Sequence, residues 1–461
     1  MKNHFKLLII SLLLLSFNNF IAQINWDNAE TIIRNLNPVL FPKKTYQITD
    51  FGAVANNQTP CKKAFDTAIS QCSENGGGTI IVSKGDYYMD GPLVFKSNVC
   101  IQLEEDATLN FSSNEKDYLP AVLTRWEGTE LYNYSPLIYA YQAHNIALIG
   151  KGTVNGNGSK NFSKWKKTQN NDKITLRKMG TDVTPVYERV FGEGHFLRPS
   201  FIQPFGCTNV RIEDITIKDA PFWVIHPVYC DNVIVRGVNV ESRNTNNDGC
   251  DPDSTSNILI ENSTFSTGDD GIAIKSGRDN DAWRVGRPTE NVVIRNCDFE
   301  SEINGICIGS EISGGVRNVF IENCKIPKSA NAIYFKSNTD RGAFIENIFV
   351  RNIQSGTASS ALIRFEPDYK GEGSKLYPTK FSNFRLENIS GTSVEGCALY
   401  LSGFKSNPLT KVSLSNISIE KAITDYCLQN GTDIVFDAVK VNGILLDKKP
   451  KEKSLVKLKT F

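Results

Sequence analysis

The feature that most limits what this chain can fold into is a phrase that recurs from about Asn145 onward: an asparagine, then alternating β-branched residues, then a polar turn. It appears as Asn145-Ile146-Ala147-Leu148-Ile149, Asn209-Val210-Arg211-Ile212, Asn232-Val233-Ile234-Val235 and Asn257-Ile258-Leu259-Ile260. Further copies are Asn291-Val292-Val293-Ile294, Asn318-Val319-Phe320-Ile321 and Asn347-Ile348-Phe349-Val350, with a weaker one starting at Asn383. From Asn209 the steps are 23, 25, 34, 27, 29 and 36 residues. Between copies the chain lacks helical periodicity and is dense in Gly, Asn, Asp and Ser, which reads as short strands joined by turns. A period in the twenties with several strands per unit predicts a solenoid; propeller blades need longer units, and no leucine framework is present. The expected fold is therefore all-β, a right-handed parallel β-helix. No coil can bury its inward face alone, so stacking supplies the core. Rungs should lie about 4.8 Å apart, with the recurrent asparagine in a turn, bonded to backbone and stacked on its neighbour.

The 461 residues would suffice for two or three ordinary domains, but a repetitive β fold can run this long as one. Residues 1–22 read as a signal peptide: Lys2 and Lys6, the apolar run Leu7 to Leu15, and cleavage after Ala22. That run is too short to span a bilayer, so the mature protein is expected to be soluble and secreted or periplasmic. Residues 23–115 read as an N-terminal cap and first coils, 116–445 as the β-helix carrying the site, and 446–461 as a lysine-rich tail with no role beyond solubility. The segment Phe65–Cys72 has helical spacing and is expected to cap the open end of the solenoid. Ser159–Arg198 breaks the repeat and is expected to form a long loop over one face, a common place for function.

The formal charge of +1 includes Lys2 and Lys6, so the mature chain sits near −1. Such a surface attracts neither nucleic acid nor anionic lipid, and a polyanionic substrate would need local cations. The eleven cysteines contain no CxxC pair, which argues against zinc. Cys207, Cys230, Cys297 and Cys324 end similar strands and read as stacked buried thiols, with one or two disulfides left open by export. A monomer without membrane contact is expected.

Chemistry concentrates in two segments. Asp248 lies in Asn246-Asn247-Asp248-Gly249-Cys250-Asp251-Pro252, and Asp269-Asp270 lies between Gly268 and Gly271, 21 positions on from Asp248. On neighbouring rungs their carboxylates would converge. Converging carboxylates protonate a glycosidic oxygen while activating water. The plain alternative is turn chemistry, since Asp and Asn suit the turns of a solenoid. Consecutive strand residues point to opposite faces, so Asp269 and Asp270 can share a cleft only if the backbone kinks, which Gly268 and Gly271 would permit.

Over roughly Thr45 to Gly391 the chain resembles the polygalacturonase family of glycoside hydrolases, family 28. The matching segments are Asp50-Phe51-Gly52-Ala53, Phe222-Trp223-Val224-Ile225-His226-Pro227, Asn247-Asp248-Gly249-Cys250-Asp251, Gly268-Asp269-Asp270 and Ile308-Gly309-Ser310-Glu311. The resemblance implies a right-handed β-helix and inverting hydrolysis of α-linked galacturonides in pectin. It implies that Asp269 protonates the leaving oxygen while Asp248 and Asp270 activate water, with carboxylates roughly 6.5–9.5 Å apart. Neither metal nor cofactor is implied.

Two departures stand out. Where the family has a histidine, Ile303 or Asn304 stands here, depending on one gap. Where it has Arg-x-Lys, Tyr334-Phe335-Lys336 keeps the lysine and loses the arginine, which is not a conservative change. A neutral leaving sugar, such as rhamnose in rhamnogalacturonan, a modified sugar, or an activity weakened or lost would each account for that loss. Further candidates for substrate contact are Lys275, Lys336, Tyr334, Trp223, His226, Arg198 and Arg341, with Glu311 as a buttress. Two other functions fit the same residues. A polysaccharide lyase would use Asp248, Asp251, Asp269 and Asp270 as a calcium cradle and a Lys or Arg as base. A non-catalytic carbohydrate-binding β-helix would show no turnover.

Overall fold

The computed structural model describes residues 24–36, 39–369 and 376–458; the expected signal peptide and cleavage site lie outside them. The repeats stack in register as expected. Thr208–Glu213 pairs in parallel with Asp231–Arg236, that strand with Ser256–Glu261, and that in turn with Thr289–Arg295. Stacking continues through the long bent strands Val316–Lys336, Phe344–Glu366, Lys380–Ser402 and Leu409–Gln429. Inward residues form one continuous core of Ile, Val, Leu and Phe, with Phe265 stacked on Phe299 at 5.3 Å.

The recurrent asparagine sets the corner. Asn209, Asn232, Asn257, Asn291, Asn318, Asn347 and Asn383 all adopt left-handed backbone, with φ between 55° and 61°, a conformation asparagine tolerates better than other side-chain-bearing residues. Their amides form a ladder: Asn318 Nδ2 donates to Asn291 Oδ1 at 3.1 Å, and Asn347 Nδ2 to Asn318 Oδ1 at 3.1 Å. The ladder steps sideways once, where Asn257 donates to Asp231 instead of Asn232.

Helix α1 (Trp26–Asn35) is absent from the sequence reading; it packs sideways on the outer residues Ile234, Leu259, Val293, Phe320 and Phe349. Helix α2 (Lys62–Glu74) contains the expected cap and buries Phe65, Ala68, Ile69 and Cys72. The stretch Ser159–Arg198 is not a structureless loop. It holds a 3-10 turn at Phe162–Lys167, helix α3 (Asn170–Thr181) and the strand Val190–Phe191. Helix α3 buries only Leu176 and Gly180, so it has no apolar stripe to betray it.

The C-terminal tail also does more than solubilise. Leu455, Val456 and Leu458 cover Ala361, Cys397, Tyr400 and Cys427. All eleven cysteines are buried free thiols.

The ladder generates a stability test. Asn318→Ala removes two amide hydrogen bonds and places a Cβ-bearing residue with no local hydrogen bond at positive φ. It should cost about 2–4 kcal/mol in denaturant unfolding, and Asn318→Gly less. Equal losses for the two variants would refute the backbone contribution.

Candidate active site

Register places the site. Cys250 bridges Ile272 and Asp253 bridges Lys275 on the adjacent rung. Gly249 N–H donates to Asp270 O at 3.0 Å, and Gly271 N–H to Asn304 O at 2.8 Å. Asp248, Asp270 and Asn304 thus occupy successive rungs of one column. The chain bends at Gly268-Asp269, as sharing a cleft requires. The two glycines serve this bend differently from expectation. Neither has positive φ; a Cβ on Gly268 would stand 2.3 Å from Asn244 O, and one on Gly271 would stand 2.5 Å from Gly305 O. Close approach of neighbouring backbone, not conformational freedom, demands glycine there.

One oxygen from each of Asp248, Asp269 and Asp270 lies within 4.8 Å of the others. That is tighter than the expected carboxylate separation, because two of the acids are sequence neighbours and the third is a single rung away. They floor a cavity of about 540 Å³ whose lining includes Trp223, Lys275, Ile303, Glu311, Lys336 and Tyr369.

Each acid has a distinct setting. Asp270 accepts from Asn304 Nδ2 at 2.5 Å and from Lys336 Nζ at 3.1 Å. Asp269 accepts from Asn246 Nδ2 at 3.2 Å. Burial, then the neighbouring Asp270, pushes the Asp269 carboxyl up to about 6. Asp248 is raised well above the carboxylate range, by burial first and then by Asp251 and Asp269. Lys275 Nζ stands 3.9 Å from Asp248, 3.3 Å from Glu311 and 3.0 Å from Gly309 O. Burial opposes its charge, but Glu311 and Asp248 prevail and hold its pKa above the ordinary value. Lys336 is likewise held charged, chiefly by Asp270 against burial. Glu311 is a buttress between Lys275 and Arg278, which pull its carboxyl well down against burial.

Three sequence candidates fall outside the lining. His226 is fully buried beneath Trp223, their rings 4.7 Å apart. Its Nδ1 meets Gln203 Nε2 at 2.8 Å, so it supports the floor instead of facing sugar. Arg198 is buried too; it donates to Thr245 O at 2.7 Å and Asn246 Oδ1 at 2.8 Å. Lys166 donates to the same Asn246 oxygen at 2.8 Å, which turns the amide nitrogen toward Asp269. Tyr334 is buried with its hydroxyl on Glu366 and its ring under the Arg364 guanidinium, 4.9 Å away. Lys275, Lys336, Trp223 and Arg341 do line the cavity. Of the two residues at the expected histidine position, Asn304 holds Asp270 while Ile303 lines the cavity.

Sequence reading missed most of the cationic wall. Lys166, Lys173 and Arg177 reach the cavity from the Ser159–Arg198 insertion, and Arg278 from the start of helix α4 (Asp279–Val285). The Ser159–Arg198 insertion is clamped to helix α4 by Arg189 to Asp281 at 2.7 Å and Asn280 Nδ2 to Thr181 O at 2.8 Å, and Arg284 ties that helix to Glu130 of the strand Thr129–Asn133 at 2.5 Å. Arg341 is fixed on Asp279 at 2.5 Å. Guanidinium groups therefore reach the cavity even though Tyr334 has replaced the expected arginine. No local motif signals them, since each arrives from a segment that interrupts the repeat.

This arrangement suits proton transfer. Lys275 and Lys336, the two lysines at the floor, are held charged and so are poorly suited to act as the base a lyase needs.

The family model Glycosyl hydrolases family 28 matches residues 72–435. A probable polygalacturonase of Vitis vinifera is 27% identical over 395 residues, covering 81% of this chain and 74% of that protein. An exo-poly-alpha-D-galacturonosidase of Dickeya chrysanthemi is 27% identical over 390 residues, covering 75% and 62%. Among solved structures, a hyperthermoactive exopolygalacturonase from Thermotoga maritima superposes with a TM-score of 0.89 at 36% identity, covering 94% of this chain and 99% of that one.

The electrostatics of the floor can be titrated. Lys336 lowers the pKa of Asp269, so Lys336→Met should move its titration upward from about 6, seen in infrared titration of the carboxyl band. A downward or absent shift would show that Lys336 does not act on Asp269.

Proposed function

The chain belongs to glycosyl hydrolases family 28 and is a glycoside hydrolase, and we propose that it is an exported enzyme cleaving α-galacturonosyl bonds of pectic galacturonan from a chain end, with inversion. The observation that carries this reading is three carboxyl groups, one oxygen of each within 4.8 Å of the others, at the floor of a cavity walled by cations.

Asp269, protonated up to about pH 6, donates its proton to the glycosidic oxygen as the C1–O bond breaks. Asp248 and Asp270 accept a proton from the water that attacks C1 on the opposite face. Oxygens less than 4.8 Å apart suit this shared task, since one water can donate about 2.8 Å hydrogen bonds to both. By the general rule, a short separation between acid and partner would suit retention. The stereochemistry therefore needs its own test: the first product in proton NMR should be the β-anomer, and an α-anomer formed first would overturn inversion.

Lys275 and Lys336 are suited to grip uronate carboxylates at the floor, with Trp223 beside them. Arg278 and Arg341 supply the planar donors that the Tyr334 position lacks. This favours galacturonate over a neutral rhamnose on both sides of the scissile bond. The clamped insertions form a wall that suits a chain terminus, which supports action from the end. Mono- or digalacturonate should then appear first in a digest, whereas mid-length oligomers appearing first would contradict it. No helix among the described residues is long and apolar enough to cross a membrane, and Lys2, Lys6 and the apolar run after them support export.

Asp269→Asn should lower kcat on polygalacturonate about 10²- to 10⁴-fold with little change in KM. The wild-type rate should fall as pH rises through about 6, because Asp269 must hold its proton. A rate that climbs through that range would exclude Asp269 as the acid.

A further inference from the structure

Beneath the floor lies a fully buried ion pair to which the chemistry above gives no task. Arg125 Nη1 donates to Asp253 Oδ1 at 3.0 Å, and neither side chain has exposed surface or lines the cavity. Arg125 comes from the antiparallel hairpin of Val122–Trp126 and Thr129–Asn133, whereas Asp253 bridges Lys275 on the neighbouring rung of the solenoid. A buried pair adds little net stability over apolar packing of the same volume, so stability alone is a weak reason for it. Both oxygens of Asp253 lead to Lys275. Oδ1 also accepts from Gly277 N–H at 2.8 Å, which ties down the turn that follows the lysine. That turn is tightly packed: Gly277 has a φ of 71°, and a Cβ there would stand 1.8 Å from Arg125 Nη2. Oδ2 faces His226 Nε2 at 3.5 Å, and neither atom has another hydrogen-bond partner among the described residues. The His226 ring supports Trp223, their centroids 4.7 Å apart, and Lys275 Nζ lies 4.8 Å from the centre of the Trp223 ring. The lysine is thus held at its backbone through one oxygen and at its ammonium group through the other.

The proton on His226 follows from its neighbours. Gln203 Nε2 donates to Arg125 O at 3.2 Å, and Gln203 Oε1 meets the Thr124 hydroxyl. A carbonyl only accepts, so the amide nitrogen is fixed on this side. Its second hydrogen goes to His226 Nδ1 at 2.8 Å. Burial, the largest influence on His226, pushes its pKa below the ordinary value, so the ring is neutral. With Nδ1 accepting, the ring proton sits on Nε2 and points at Asp253.

We propose that Asp253 is a positioning residue for Lys275: its carboxylate, matched by Arg125, accepts from Gly277 N–H and from a neutral His226 protonated on Nε2, and so fixes the ammonium group that grips a substrate uronate. Neither Arg125 nor Asp253 touches sugar. The hairpin delivers a cation beneath the floor, Asp253 passes its hold upward, and Lys275 meets the substrate beside Trp223. This role rests on the uronate-binding task given to Lys275 above.

Two measurements on the full-length protein decide the matter. In nitrogen NMR of the histidine-labelled protein at neutral pH, His226 should be neutral with its proton on Nε2. A proton on Nδ1, or on both nitrogens, overturns the proposal. In kinetics on polygalacturonate, Asp253→Asn keeps the shape but loses the charge and one acceptor; KM should rise about ten-fold with kcat within about three-fold of wild type. In a Lys275→Met background the same change should move KM less than about two-fold, because its effect runs through the lysine. An unchanged KM in the first background, or an equal penalty in both, overturns the proposal. If an unmatched Arg125 prevents Asp253→Asn from folding, the paired Arg125→Met/Asp253→Asn variant, which buries neither charge, carries the same comparison. The NMR arm reads a tautomer, not turnover, so it stands even if wild type fails to cleave polygalacturonate, an outcome that would refute only the substrate reading.

Discussion

In-register stacking of parallel rungs is the constraint on which everything else depends. Rungs one strand spacing apart carry side chains into columns, and a column repeats whatever the sequence places at that position. Inward columns gather Ile, Val and Phe into a core; the corner column gathers asparagines whose amides bond in series. The same rule stacks Asp248, Asp270 and Asn304. A fold that tolerates repetition thus brings like charges together, provided that something offsets their repulsion.

Two ammonium groups supply that offset. Lys275 and Lys336 stand 3.9 and 3.1 Å from Asp248 and Asp270, and Asn246 and Asn304 fill remaining positions with neutral donors. Buried lysines matched by carboxylates gain basicity, so they serve as fixed charge and not as bases. The balance leaves Asp269 poised near pH 6, close to the pKa an acid catalyst needs. Support reaches outward through Arg198 and Lys166, which orient Asn246, and through Glu311, which holds Lys275.

How far the sequence could be read follows from where information sits in such a fold. The solenoid was legible because the asparagine phrase repeats, and the acids were legible because their segments lie one coil apart. The α2 cap showed an apolar face, whereas helix α3, NNDKITLRKMGT, showed none. Most of the cationic wall was hidden for a related reason: Arg177 and Arg278 come from interruptions of the repeat and meet only through tertiary clamps such as Arg189–Asp281, whereas Arg341 was among the expected contacts. His226, Arg198 and Tyr334 looked like contacts because they carry polar groups near the motif. Burial instead commits each to Gln203, Asn246 or Glu366. Direction of a side chain, unlike its place on a rung, is not written in the period.

The central claim is that three carboxyl groups act on one glycosidic bond from the floor of this cavity. A crystal structure of Asp269→Asn soaked with an oligogalacturonide tests it most directly. The account predicts the glycosidic oxygen about 2.6–3.2 Å from the residue-269 amide, with one ordered water touching both Asp248 and Asp270 across the sugar ring. An oligosaccharide bound with its scissile oxygen out of reach of residue 269, or with that water on the same face of the ring, would contradict it.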